Sequence, residues 1–155
     1  MRLQFDRSTE TINRLHRSGA DAGIPVRLFD RDGLVISFDV FVSVFWQVLL
    51  EGVRAPPNEY DITYELEPGE LHIESVDDHL RIEERRPDTV RGSLATDLQV
   101  FVTELVAEAE TFETFCRHER LDIEQSTMEQ LRSEIGRTRE WYRMQYGTDL
   151  PRRNG

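Results

Sequence analysis

A chain of 155 residues with 30 acids, 19 arginines, no lysine and a net charge of −11 is sized for one acidic domain. Its single cysteine, Cys116, excludes an internal disulfide and a multi-cysteine zinc site. The longest apolar stretch, Val40 to Leu50, runs 11 residues and contains Ser43 and Gln47, too short to span a bilayer; Met1 to Asp6 has no apolar leader core, so a cytoplasmic location is expected.

Ser8 to Arg17 reads as a short helix, with Ser8 as cap, Ile12 and Leu15 on one face and Gly19 ending it. Ile24–Asp30 and Leu34–Phe38 read as two strands joined through Asp32-Gly33, a strong hairpin signal. From Asp39 to Gly52 the polar residues Asp39, Ser43, Gln47 and Glu51 fall four apart. That spacing predicts a mostly buried helix, capped by Asp39, with Gly52 just past its end and Trp46 in the core. Ala55-Pro56-Pro57-Asn58 is expected to be a loop.

Tyr60 to Glu67 then alternates apolar and polar residues, as do Leu71–Glu74 and Leu80–Glu83, with turns at Pro68-Gly69 and Asp77-Asp78. This is the pattern of a three-stranded antiparallel meander with one wet face. Leu94, Leu98, Phe101, Leu105, Ala109, Phe112 and Cys116 follow helical spacing, with Ser93 as the expected cap. A last helix opens at Ser126, with Glu129 three residues on, carries Met128, Leu131, Ile135 and Tyr142 on its apolar face, and stops at Gly147. The predicted fold is therefore α+β, a single domain over 1–150: an antiparallel sheet of about five strands, hairpin plus meander, with three to four helices, the last two long and packed on one face. Residues 151–155 are expected to form a disordered tail.

Two places carry candidate chemistry. If Asp77-Asp78 is a two-residue hairpin, His72 faces Glu83 and Glu74 faces Arg81. A tight turn around Gly69 then sets Glu65 beside His72. The row Glu65–His72–Glu83 offers two carboxylates and an imidazole to a divalent metal or to proton transfer. The plainer reading is a solvated ladder of cross-strand charges. In the last helix, Arg137, Arg139, Trp141, Tyr142, Arg143 and Tyr146 combine the residue types enriched in protein–protein hot spots. The stretch 137–146 is also where base outnumbers acid. The plainer reading there is aromatic closure of the core.

Other groups read as structural. Cys116 and His118 lie two apart on a helix and point about 200° from each other, so they form no dyad within it. Cys116 shares the apolar stripe of Phe112 and reads as a core thiol. Asp77-Asp78-His79 reads as a turn, and Glu108, Glu110 and Glu113 as a solvated helix face. Dinucleotide, P-loop, zincin, nucleophile-elbow and CxxC motifs are absent from the sequence, so no cofactor is expected.

The lack of lysine is informative, since on the order of ten would be expected at ordinary charged-residue usage. Together with the acidity it points to a salt-adapted microbe, with a GC-rich bacterial genome as the alternative. In molar salt the Debye length is about 3 Å, and the acids then serve mainly to keep the surface solvated. In low salt they favour a basic protein partner. Arg85-Arg86 and Arg152-Arg153 are isolated pairs rather than a basic stripe, which argues against direct nucleic-acid binding. The expected function is a non-enzymatic cytoplasmic protein–protein interaction domain, with an immunity- or antitoxin-type neutralising partner as one instance. The alternatives are a small metal-dependent or acid/base enzyme on the polar face of the meander, and a homodimer with a structural role.

Overall fold

The computed structural model describes residues 1–55, 61–66 and 69–153, with the backbone alone at 61, 65 and 66. The expected loop at Pro56-Pro57-Asn58, the strand residue Tyr60 and Pro68 of the expected turn lie outside the described residues. Among the described residues there are seven strands and four α-helices, in the order β1 (Arg2–Phe5), α1 (Thr9–Ser18), β2 (Gly23–Asp30), β3 (Gly33–Phe41), α2 (Val42–Val53), β4 (Asp61–Leu66), β5 (Gly69–Val76), β6 (His79–Arg86), β7 (Thr89–Thr96), α3 (Leu98–His118) and α4 (Gln125–Tyr146). The strands form two antiparallel sheets, β1-β2-β3 and β4-β5-β6-β7. The class is the expected α+β.

Where local chemistry is unambiguous, the elements follow it. The Ser8 side chain accepts from the Thr11 backbone N–H, and Gly19 ends α1 at φ 54. Gly147 closes α4 in the left-handed conformation, its N–H donating to the Arg143 carbonyl. Asp77-Asp78 is a two-residue hairpin, with Val76 opposite His79 and Asp77 at φ 56. The expected pairs His72–Glu83 and Glu74–Arg81 are therefore present.

Four boundaries differ from expectation. β1 is an additional strand, too short for its alternation of buried Leu3 and Phe5 to stand out in sequence. Asp39 is not a helix cap: β3 continues through it to Phe41, and α2 runs from Val42 through Gly52 to Val53. Phe41 is 58% exposed while Phe38 and Val40 point inward, which is the alternation of a strand. Ser93 likewise caps nothing. It lies in β7, opposite Glu83, with Leu94 opposite Ile82. The four-residue step from Leu94 to Leu98 mimics helical spacing across a strand–helix junction, and α3 starts only after Asp97. Finally, α4 begins at Gln125 after Glu124, without a side-chain cap from Ser126.

The core joins the two sheets through α2 and α3. Phe45 contacts Phe38 and Tyr64, Trp46 contacts Phe45 and Phe112, and Phe112 reaches Phe5. Burial of each such aromatic contributes roughly 1.5–3 kcal/mol. Tyr64 accepts a hydrogen bond from the Phe41 backbone N–H at 3.0 Å, fastening β4 to the end of β3. The neighbouring edges of the two sheets meet where β7 passes β3. A Cβ at Gly92 would lie 2.5 Å from the Val35 carbonyl oxygen, so only glycine permits this approach. α3 and α4 pack together, and both contact α2. No helix among the described residues is long and apolar enough to cross a membrane.

Candidate functional site

The polar face of the meander carries His72 on β5, one of the two inner strands of its sheet. His72 is 6% exposed. Across β6 it faces Glu83, but across β4 it faces Thr63, and Glu65 faces Glu70. The expected row thus loses Glu65. β4 pairs Leu66 with Gly69, a shift of two residues from the expected register.

Glu74 takes the place left by Glu65. Ligand atoms of His72, Glu74 and Glu83 lie within 4.8 Å of one another, close enough to hold a divalent ion. The same carboxylates already serve arginines. Arg81 bonds Glu74, and Arg85 bonds Glu83 at 2.8 Å and lies 3.8 Å from Glu74. The Arg81 hydrogen bond is the main cause holding the Glu74 carboxyl below the usual carboxylate range. A metal ion must displace guanidinium groups from both carboxylates, which opposes it on charge as well as on geometry.

Cys116 is buried, and burial, helped by the Glu113 carboxylate, pushes its thiol up to about 12. It is a core thiol without nucleophilic character at neutral pH. The His118 side chain is 84% exposed and sits 3.5 Å from Glu119. The Asp77–His79 segment is a turn, with His79 3.6 Å from Asp78.

The helix-face reading of Glu108 is overturned. Glu108 is fully buried and Glu104 is 9% exposed. Glu104 accepts from the Leu3 N–H at 3.1 Å, and Glu108 accepts from the Phe5 N–H at 3.0 Å. Two residues along a strand advance about 6.8 Å, and four along a helix about 6 Å. The two carboxylates therefore stand where carbonyls of a further strand would, and close the outer edge of β1. Arg7 donates to Glu108 at 2.8 Å while its guanidinium lies 4.3 Å from the Phe5 ring centre. Arg153 donates to Glu108 at 2.6 Å and to the Glu104 carbonyl at 3.3 Å. Arg153 falls within the stretch expected to be a tail, and Leu150 ahead of it is buried. Asn154 and Gly155 lie outside the described residues.

The arginine–aromatic stretch of α4 divides into two parts. Tyr142 is 3% exposed and its ring packs at a tilt against Tyr146, whose ring meets Trp141 edge-on. These rings close the end of the helix, and Tyr142 faces the core rather than a partner. The arginines point outward. Arg137 pairs with Glu134 in its own helix, Arg139 with Glu110 on α3, and Arg143 with Asp149 beyond the helix end.

Arg139 and Arg143 lie one turn apart, and the segment after Gly147 folds back beside them. Together with α3 they frame a cleft of about 680 Å³, lined by Thr103, Ala107 and Glu110 on one side and by Arg139 and Arg143 on the other, with residues 149–153 across its end. Four arginines line it against two carboxylates, Glu110 and Asp149, a local reversal of the chain's overall charge. Sequence reading found Arg139 and Arg143 through their neighbours. It missed Arg152 and Arg153 because nothing local shows that the chain turns back onto α3. Searches for a matching family model, a related curated protein and a similar solved structure each gave no match.

Proposed function

We propose that this protein is a non-enzymatic interaction domain that binds another protein through the arginine-lined cleft between α3, α4 and residues 149–153. The observation that carries this reading is the gathering of cationic side chains around one concavity in a chain with 30 acids and 19 bases. A concave site focuses the field of its charges, and arginine is favoured at protein contacts for its planar, multidentate fork. The pairs Arg139–Glu110 and Arg143–Asp149 are half-exposed or more exposed at both partners. Pairs of that kind contribute about 0–1 kcal/mol, so a partner's anionic group can compete for the guanidiniums at little cost.

The arrangement of the remaining polar groups supports the same reading. Cys116 is buried with an elevated pKa, and the acids around His72 are engaged by Arg81 and Arg85. A neutralising partner of the immunity or antitoxin kind, acting in the cytoplasm of a salt-adapted microbe, is the specific form of the proposal. The test is co-purification from the native host with the wild type and with Arg139→Glu/Arg143→Glu. The proposal requires a stoichiometric protein partner that the charge reversal releases. Full retention by the reversed variant would refute the cleft as the contact surface.

A second reading, a metal-dependent site, rests on the proximity of His72, Glu74 and Glu83. It requires a thermal shift with zinc or manganese that Glu83→Gln removes. A melting temperature indifferent to both ions would end it.

A further inference from the structure

Resting on the interaction reading above, we infer that the cleft between α3, α4 and residues 149–153 recognises a phosphorylated serine or threonine side chain of the partner protein. The argument starts from unused donors. Arg139 reaches Glu110 through Nη2, and Arg143 reaches Asp149 through Nε. Each guanidinium carries five N–H donors, so both retain a free fork edge while their carboxylates stay neutralised. Arg152 has no ion pair or hydrogen bond with any described residue and adds a third guanidinium to the same cleft. Arg153 is committed to Glu108 at 2.6 Å and anchors the segment that carries Arg152.

Three guanidiniums around one concavity exceed what a carboxylate can satisfy. A carboxylate brings two oxygens and one charge, whereas a phosphate monoester offers three terminal oxygens and close to two charges at neutral pH. Among the described residues the cleft lining includes no aromatic ring, so a nucleobase lacks the aromatic platform of single-stranded nucleic-acid sites. Its volume of about 680 Å³ is several times what a phosphate alone fills and leaves room for the peptide backbone that presents one.

The test uses the full chain and a short neutral peptide with one central phosphoserine, titrated by calorimetry and by NMR of the arginine side chains at low and at molar KCl. Comparison ligands are the unphosphorylated peptide, its glutamate-substituted twin and inorganic phosphate. The variants are Arg139→Gln and Arg143→Gln, with Arg17→Gln on α1, exposed and remote, as a control of equal charge change. The inference requires the phosphopeptide to bind at least about tenfold more tightly than the glutamate peptide. Each cleft variant should weaken it about tenfold or more, with Arg17→Gln unchanged. Equal affinity for the glutamate peptide, equal weakening by Arg17→Gln, or inorganic phosphate binding as tightly as the phosphopeptide would each overturn it. A partner cross-linked at the cleft in the host without phosphopeptide binding would overturn this inference while leaving the interaction reading standing.

Discussion

Replacement of Glu108 by alanine tests how the two ends of the chain are held. The Glu108 carboxylate is fully buried and takes three hydrogen bonds: from the Phe5 N–H at 3.0 Å, from Arg7 at 2.8 Å and from Arg153 at 2.6 Å. In Glu108→Ala the Phe5 N–H stays buried without an acceptor, which costs about 1–3 kcal/mol. Arg7, 37% exposed, swings into water cheaply, but Arg153, 15% exposed, leaves the segment that it anchors. Breaking one side of a buried pair costs about 3–5 kcal/mol in all, a large part of the roughly 5–15 kcal/mol that holds a domain folded. Glu108→Gln keeps an acceptor for Phe5 but sets an amide against two cations, so a smaller loss of about 1–3 kcal/mol is expected. Urea denaturation at fixed KCl measures both, and hydrogen exchange at the Phe5 amide reports the edge directly. A loss under 1 kcal/mol in Glu108→Ala, with Phe5 still protected, would refute the claim that α3 carboxylates close the sheet edge.

Acid should act in part through Asp6. Burial opposes its ionisation, but hydrogen bonds from Ser8, Thr11 and Arg27 outweigh it and lower its carboxyl to about 2 from 3.8. Because the folded value is depressed, this stabilisation is present above about pH 4 and is lost as pH falls toward 2. Asp6→Asn should flatten the stability profile across that window, and a profile unchanged from wild type would count against the Asp6 network. Cys116, with its thiol at about 12, should resist alkylation at pH 8 until the protein is unfolded, and rapid labelling of the native protein would contradict its core placement. If the acidic, lysine-free surface is salt adaptation, the melting temperature should rise with KCl into the molar range, and a flat or falling curve would remove that explanation.

How much of this was legible in sequence depends on how locally each feature is determined. Ser8, Gly19, Asp77-Asp78 and Gly147 mark their turns and caps by backbone chemistry that needs no tertiary context. The pairings of His72 with Glu83 and of Glu74 with Arg81 follow from the Asp77-Asp78 turn alone. Glu65 falls outside the row because β4 pairs Leu66 with Gly69, two residues from the register that a tight turn around Gly69 implies. β7 escaped notice because Leu94 is its one buried apolar residue, and because its Gly92 matters through contact with Val35 on another sheet. Glu108 looked like one of several solvated acids. Its burial depends on an edge strand about a hundred residues earlier and on Arg153 near the other end.

The same distinction separates the parts of the candidate site. Arg139 and Arg143 were visible as a cationic run in one helix, but the cleft exists only because the chain after Gly147 returns to α3 and brings Arg152 and Arg153 with it. The aromatic half of that helix gave a mixed signal. Trp141 and Tyr146 are partly exposed, while Tyr142 is core.

The cleft as a protein-contact surface is the central claim, and site-specific photo-cross-linking in the native host tests it most directly. A photoreactive residue at Thr103, in the cleft wall, should trap one discrete protein, and the same residue at Asp32, in the β2–β3 turn, should trap none. The Thr103 adduct should disappear in Arg139→Glu/Arg143→Glu. No discrete adduct at Thr103, or an adduct that survives the double charge reversal, would contradict the account.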